Sequence, residues 1–178
     1  MKFCSQCGSR EIQFIIPSGD NRPRHCCPIC KEIHYQNPRM ICGTIPTYDN
    51  KILLCKRAIE PQKGFWTLPA GFMENGETTE EAAIRETREE AEADIKIEGI
   101  YTIFNLPHIN QVYFFFRGEV KDGIYGVGIE SLDSQLFSPE EIPWDELAFR
   151  TVKRSIELFL EDKPKGNFPF RMESFYHK

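Results

Sequence analysis

Two pairs of cysteines stand out by their spacing. Cys4-Ser-Gln-Cys7 and Cys27-Pro-Ile-Cys30 are CxxC knuckles separated by 19 residues. A CxxC turn presents two sulfurs on one side of a tight loop, and two such turns close a tetrahedral Cys₄ site for Zn²⁺. With no open position, such a site is structural rather than catalytic. Cys26 competes with Cys27 as a ligand, but only Cys27 completes the spacing. Unligated thiols or a redox CxxC pair are the other readings, and the pairing of two knuckles argues against both.

The second constellation is acidic. From Glu74 to Asp94 there are nine acidic residues and two basic ones, Arg85 and Arg88. On a helix, Glu89 lies about 60° to one side of Glu86 and Glu90 about 40° to the other. Glu86 and Glu90 are stacked at i,i+4, where like charges destabilise an isolated helix. A run of Glu is usually a solvated face. Here the carboxylates cluster instead of alternating with Lys, and the apolar side of the helix is thin (Ala83, Ile84, Ala91). Hard oxygen ligands in such a group suit Mg²⁺ or Mn²⁺.

These residues must be positioned by a chain of 178 residues, enough for one domain with a small appendage. Residues 1–34 hold five of the seven cysteines and few apolar residues for a core. A metal bound there would supply folding energy. After Asn37-Pro38 the pattern turns strand-like. Arg39–Tyr48 and Lys51–Arg57 read as a hairpin about Asp49-Asn50. A loop follows over 58–68, then a break at Pro69-Ala70-Gly71-Phe72. Thr78 with Glu81 three residues on fits a capping box and starts a helix near Thr79 that runs to about Ala93. Strands are expected over 95–104 and 111–120. Tyr113-Phe-Phe-Phe116 makes the second of these central in its sheet. Gly123–Gly128 reads as a mobile loop and 135–137 as a short strand. Ser138-Pro-Glu-Glu141 reads as a one-turn helix stopped by Pro143. A last helix covers 152–160, and 163–178 is a tail. Cys42 and Cys55 read as small buried hydrophobes.

The net charge is −5, and removing the 74–94 window leaves 20 basic and 18 acidic residues. The negative charge is thus local, and nucleic acid is not the expected partner. No run of apolar residues reaches membrane-spanning length. The first residues carry no apolar export segment, which reads as a cytoplasmic chain.

Gly71 to Ala93 resembles the Nudix box, Gly-x₅-Glu-x₇-Arg-Glu-U-x-Glu-Glu-x-Gly-U, where U is bulky and apolar. Gly71, Glu77, Arg85, Glu86, Glu89 and Glu90 match it; Thr87, Glu92 and Ala93 depart from it. The resemblance implies an α+β protein: a Nudix α/β/α sandwich with a mixed sheet over 35–162, preceded by a zinc ribbon over 1–34. That pairing is similar to the ADP-ribose and FAD pyrophosphatases. NADH pyrophosphatases also carry a four-cysteine zinc site, but their Ser-Gln-Pro-Trp-Pro-Phe-Pro motif is absent here. Pro107, 15 residues after Glu92, resembles the proline of ADP-ribose hydrolases.

The resemblance implies hydrolysis of a nucleoside diphosphate linked to another moiety. Glu86, Glu89, Glu90 and the Ala70 carbonyl would hold Mg²⁺ or Mn²⁺, with Gly71, Glu77 and Arg85 shaping the cluster. Glu130, after the glycine-rich loop, is the candidate base, ahead of Glu140 and Glu141. Arg57, Phe65, Phe72 and Phe104 are candidates for substrate contact, though aromatic residues at such places serve more often as core. A homodimer is expected. Two other enzyme readings stand beside this one, an NADH pyrophosphatase and a sanitiser of damaged nucleoside triphosphates. A reading of another class is a zinc ribbon that binds RNA or protein, with a vestigial Nudix domain.

Overall fold

The computed structural model describes residues 1–176 and divides into two compact units, Met1–Pro38 and the chain from Arg39 onward. In the first unit, β1 (Gln13–Ile15), β2 (Arg24–Cys26) and β3 (Ile33–His34) form an antiparallel sheet in the order β1-β2-β3. Cys4 and Cys27 are the only residues of this unit that are buried.

The second unit is built on one mixed sheet. Its strands are β4 (Arg39–Tyr48), β5 (Lys51–Arg57), β6 (Trp66–Thr67), β7 (Ala70–Phe72), β8 (Ile95–Leu106), β9 (Gln111–Val120), β10 (Ser131–Phe137) and β11 (Arg171–Ser174). Two helices are added, α1 (Thr79–Ala91) and α2 (Arg150–Asp162). The order is β10-β5-β4-β9-β8-β11, with β4–β9 and β8–β11 parallel and the other pairs antiparallel. The β4–β5 hairpin turns through Asp49 and Asn50, both at positive φ (45° and 64°), as a tight turn matched to strand twist requires.

Beyond Thr47↔Ile52 the two hairpin strands part. β7 pairs with β4 over Ile41–Gly43, and β6 pairs with β5 at Cys55 and Lys56. This fork brings Ala70 and Gly71 beneath α1. No methyl group fits on Gly43, because a Cβ there would overlap Ala70 and the Pro69 carbonyl oxygen.

Alternation along the strands serves two layers. Ile52 and Leu54 of β5 join Tyr101, Phe104, Phe115, Val152, Ile156 and Phe159 in the main core beneath α2. Leu53 and Cys55 point the other way, to Ala91, Ala93 and Val120. Cys42 and Phe116 meet Ala82 and Ala83 of α1. β9 is central, and Cys42 and Cys55 are buried. Burial pushes both thiols up to about 12, so they stay protonated.

α1 starts as its capping box dictates: Thr78 Oγ1 accepts from Glu81 N–H, and the Glu81 carboxylate accepts from Thr78 N–H. It ends at Glu92, in the left-handed region at φ 47°. Thr87, where the box has an apolar residue, is fully buried and donates to the Ala83 carbonyl at 2.7 Å. With that proton committed, the Thr44 hydroxyl donates to Thr87 at 2.7 Å.

Two expectations need correction. Residues 138–141 form a turn, not a helix. The Glu141 carboxylate accepts from Ser138 N–H and Oγ, which imitates a helix cap, but Pro143 blocks propagation. The 123–128 loop is not free: its backbone is hydrogen-bonded to the end of α1. The tail, whose order the sequence leaves open, contains a sheet element, since β11 extends the edge at β8; His177 and Lys178 lie outside the described residues.

β11 is tied down by a buried acid. Asp162, at the end of α2, accepts from Tyr101 Oη (2.8 Å) and Arg171 Nη1 on Oδ2, and from Arg171 Nη2 (2.9 Å) on Oδ1. The Arg171 hydrogen bond, aided by Tyr101, holds the carboxyl well below the usual carboxylate range. A depressed folded pKa gives stability that is present above the unfolded value and lost as pH falls through the folded one. Asp162→Asn is therefore expected to cost about 2 kcal/mol at pH 7. The gap to wild type should close progressively below about pH 4. Thermal unfolding of both proteins from pH 3 to pH 8 checks this; a gap that stays constant with pH would refute it.

No helix among the described residues is long and apolar enough to cross a membrane.

Candidate active site

In the first unit the two knuckles repeat one geometry. Gly8 N–H donates to the Cys4 carbonyl and Lys31 N–H to the Cys27 carbonyl, both at 3.0 Å. The residue after each second cysteine is left-handed (Gly8 φ 73°, Lys31 φ 66°). The four sulfurs of Cys4, Cys7, Cys27 and Cys30 all lie within 4.8 Å of one another. Cys26 is outside the set, its thiol directed to the Arg24 carbonyl. The Cys30 backbone N–H, followed by that of Ile29, pulls the Cys27 thiol down to about 7. Four converging sulfurs fit a tetrahedral thiolate-bound ion.

In the second unit α1 turns a mixed face to the sheet. Ala82, Ala83, Thr87 and Ala91 are small enough to let the helix sit close, and Glu86 and Glu90 are buried with them. Glu89, one residue round the helix, is exposed. Arg85 makes five hydrogen bonds here, four to carboxylates and one to a backbone carbonyl. Nε and Nη2 fork onto Glu77 at 3.1 and 2.8 Å. Nη2 also reaches the Phe72 carbonyl at 3.1 Å. Nη1 bridges Glu86 at 2.7 Å and Glu89 at 3.0 Å. The strand fork supplies the other wall. Ala70 N–H donates to Glu90 at 3.3 Å, and a Cβ on Gly71 would overlap the Glu86 carboxylate.

Burial raises the pKa of Glu86 and pushes that of Glu90 up to about 8, where the charge of Glu86 adds to the effect. Glu130 contributes to both shifts. Arg85 is bonded to three carboxylates, and Glu90 and Glu130 bring two more, an excess of negative charge that a divalent cation would relieve. These oxygens are more spread than the sulfurs. Among the described residues, only the four thiols form a metal-sized group of three or more side chains.

The carboxylates line a cleft of about 1030 Å³. Gly71, Phe72, Arg85, Glu86, Glu89 and Glu90 border it, as do Arg57 and Glu130. Phe72 is half-exposed, with the Arg39 guanidinium 4.8 Å above its ring. Arg57 donates to the Pro61 carbonyl at 2.8 Å and lies 5.1 Å over the Phe149 ring. Arg88 borders the cleft too, but its guanidinium is paired with Asp94. Two expected substrate contacts are elsewhere. Phe65 is outside the lining. Phe104 is fully buried, stacked at 5.3 Å on Phe175. Alternation along β8 turns Phe104 into the main core, so the wall at this point is Phe175 instead.

A sequence profile described as NUDIX domain matches residues 38–159. This chain belongs to the Nudix family. A second profile, Nudix N-terminal, matches residues 2–36 and covers the four-cysteine unit. The Nudix chain is 34% identical over 121 residues to an ADP-ribose pyrophosphatase of Methanocaldococcus jannaschii, covering 65% of this chain and 69% of that one. It is 37% identical over 97 residues to the NAD-capped RNA hydrolase NudC of Vibrio atlanticus, covering 53% of this chain but 33% of that relative's length. A crystal structure of a Nudix hydrolase from Nitrosomonas europaea superimposes with a TM-score of 0.95 at 50% identity, over 99% of this chain and all of that one.

Sequence reasoning missed part of this Nudix hydrolase's cleft. Phe149, Arg150 and Thr151 line it from the start of α2, and Phe175 lines it from beyond β11. Arg150 lies 4.2 Å over the Phe175 ring. His108 also lines the cleft and bonds the Phe175 carbonyl at 3.0 Å. No spacing motif marks these residues, which meet only through the tertiary fold.

Proposed function

We propose that this Nudix hydrolase cleaves the pyrophosphate of a nucleoside diphosphate linked to another moiety, with ADP-ribose or FAD as the substrate. The observation that carries the reading is the cleft of about 1030 Å³ whose floor is a carboxylate cluster organised by Arg85. Drug-sized ligand sites reach about 1,000 Å³, so a dinucleotide has room.

Glu86, Glu89, Glu90 and the Ala70 carbonyl would hold Mg²⁺ or Mn²⁺, and the four cysteines Zn²⁺. Divalent ions, when bound, neutralise phosphate charge and make water a better nucleophile. The chain's own residues do the rest. Glu130 takes a proton from the attacking water, as a base within the cleft. A new O–P bond forms as the bridging P–O bond breaks. The products are AMP and the phosphorylated remainder, ribose 5-phosphate from ADP-ribose or FMN from FAD. Arg85 orients Glu86 and Glu89 through its Nη1. Arg57 and Phe72 contact the nucleotide, the one by charge and the other by its exposed ring face. The same reading places the enzyme in the cytoplasm as a homodimer, which light scattering would check.

The relatives named NAD-capped RNA hydrolases favour a second reading, in which a nicotinamide dinucleotide is cleaved. Against it, the proline-rich motif of NADH pyrophosphatases is absent, and Phe104-Asn105-Leu106-Pro107 is there instead. A substrate panel separates the readings: ADP-ribose, FAD, NADH, NAD⁺, Ap₄A and nucleoside triphosphates, with phosphatase coupled where needed. The expected result is the highest kcat/KM for ADP-ribose or FAD. A preference for NADH would transfer the assignment to the second reading, and a preference for triphosphates to a sanitiser.

A further inference from the structure

The last carbonyls of a helix lack helical partners. In α1 two of them are taken by the segment after β9. Gly126 N–H donates to the Ala91 carbonyl at 2.7 Å and Gly128 N–H to the Glu90 carbonyl at 3.2 Å. Ser131 Oγ donates to that same Glu90 carbonyl at 2.7 Å. Ser131 N–H closes a turn onto the Gly128 carbonyl at 2.9 Å. On the other side, Ala58 N–H donates to the Glu130 carbonyl at 2.8 Å. The backbone of Glu130 is thus clamped between the end of α1 and the chain leaving β5. Of the side chains here Ser131 supplies an anchor through its hydroxyl, while the neighbouring Ile129 is 99% exposed and adds none.

Gly128 is where this clamp is tightest. Its φ is not in the left-handed region, so glycine is not needed there for backbone freedom. It is needed for closeness. A Cβ on Gly128 would overlap the Glu89 carbonyl oxygen and come within 2.7 and 3.0 Å of the Glu89 and Glu90 carbonyl carbons. These are backbone atoms of a helix packed on the sheet, so they cannot swing aside. Gly126 differs. A Cβ there would meet the Glu92 carboxylate, the far end of a flexible side chain.

We propose that Gly128 is a positioning residue for Glu130: its backbone approach to Glu89 and Glu90 sets where the Glu130 carboxylate stands in the cleft. The loop's contact with α1 is thus what joins the base to the carboxylate cluster. This rests on the reading of Glu130 as the base.

The test uses Gly128→Ala, Glu130→Gln and the double variant in the full chain. kcat and KM are measured with ADP-ribose and FAD, and amide hydrogen exchange is followed in parallel. Gly128→Ala is expected to lower kcat about 10-fold with KM changed less than about twofold. Added to Glu130→Gln, it should cost less than about twofold more, because residues acting through one group are not additive. Exchange over 126–131 should accelerate while that of α1 stays slow. Kinetic losses that multiply, or exchange that accelerates in α1 as well, would overturn the positioning role. Glu130→Gln at wild-type kcat would instead remove Glu130 as the base. Should Gly128→Ala fail to fold, Ser131→Ala removes only the hydroxyl anchor on Glu90. It should reproduce the same exchange pattern and non-additive kcat loss at smaller size, and an unchanged exchange pattern there would also overturn the proposal.

Discussion

Glu89→Gln is expected to lower kcat by about 10³-fold while Tm stays within about 2 °C of wild type. The two halves of this result have separate causes. Removing a charged oxygen donor from a cation site forfeits several kcal/mol of transition-state stabilisation, which at about 1.4 kcal/mol per tenfold is about three powers of ten. The fold does not depend on that oxygen. The Glu89 side chain is 58% exposed, and the Arg85 Nη1 that it shares with Glu86 keeps the Glu86 bond. Exposed pairs of this kind contribute about 0–1 kcal/mol. Steady-state kinetics with either metal, beside a thermal melt, checks both halves. A variant that melts early would make Glu89 structural, and one with near-wild-type kcat would remove it from the cluster.

If the four cysteines hold zinc as proposed, removing it is expected to unfold the first unit outright. Its strands are two or three residues long, and Cys4 and Cys27 are its only buried residues. So small a segment has no core to hold it without a staple. A structural zinc site supplies roughly 10–16 kcal/mol, all of it folding free energy. The second unit has its own core, from Ile45 to Phe175. With a strong chelator, backbone resonances of residues 1–38 should collapse to random-coil shifts while the Phe115 and Tyr101 signals keep their dispersion. Cys7→Ser should reproduce the loss. Zinc analysis should find about one ion per chain in wild type. A metal-free protein with the 1–38 resonances still dispersed would contradict the account.

What was legible in the sequence was chemistry at fixed spacing. Two CxxC turns need no tertiary information to be paired. The carboxylates of α1 were visible because helical periodicity places them on one face, and Thr78 and Glu81 announced the helix start locally. Asp49-Asn50 likewise announced its turn. What escaped depends on partners distant in the chain. β11 reads Arg-Met-Glu-Ser, with no apolar alternation to mark a strand, and it pairs with β8 some 70 residues earlier. Phe175 reaches the cleft only through that pairing. Phe104 could not be assigned a side of its sheet until the place of α2 was known. Ser138 and Glu141 misled because a local cap forms whether or not a helix follows. The anchoring of 123–128 was hidden for a similar reason: glycines that free one loop let another approach a helix closely.

The most direct test of the central claim is the dependence of AMP formation on divalent ions. Wild-type protein, with zinc bound and folded, would be incubated with ADP-ribose and with FAD. Mg²⁺ or Mn²⁺ would be added in one series and replaced by EDTA, with a zinc check, in the other. AMP together with ribose 5-phosphate or FMN is expected when the metal is present, and loss of turnover when it is absent. AMP formation indifferent to the metal, or none from either substrate in the folded, metal-supplied protein, would contradict it.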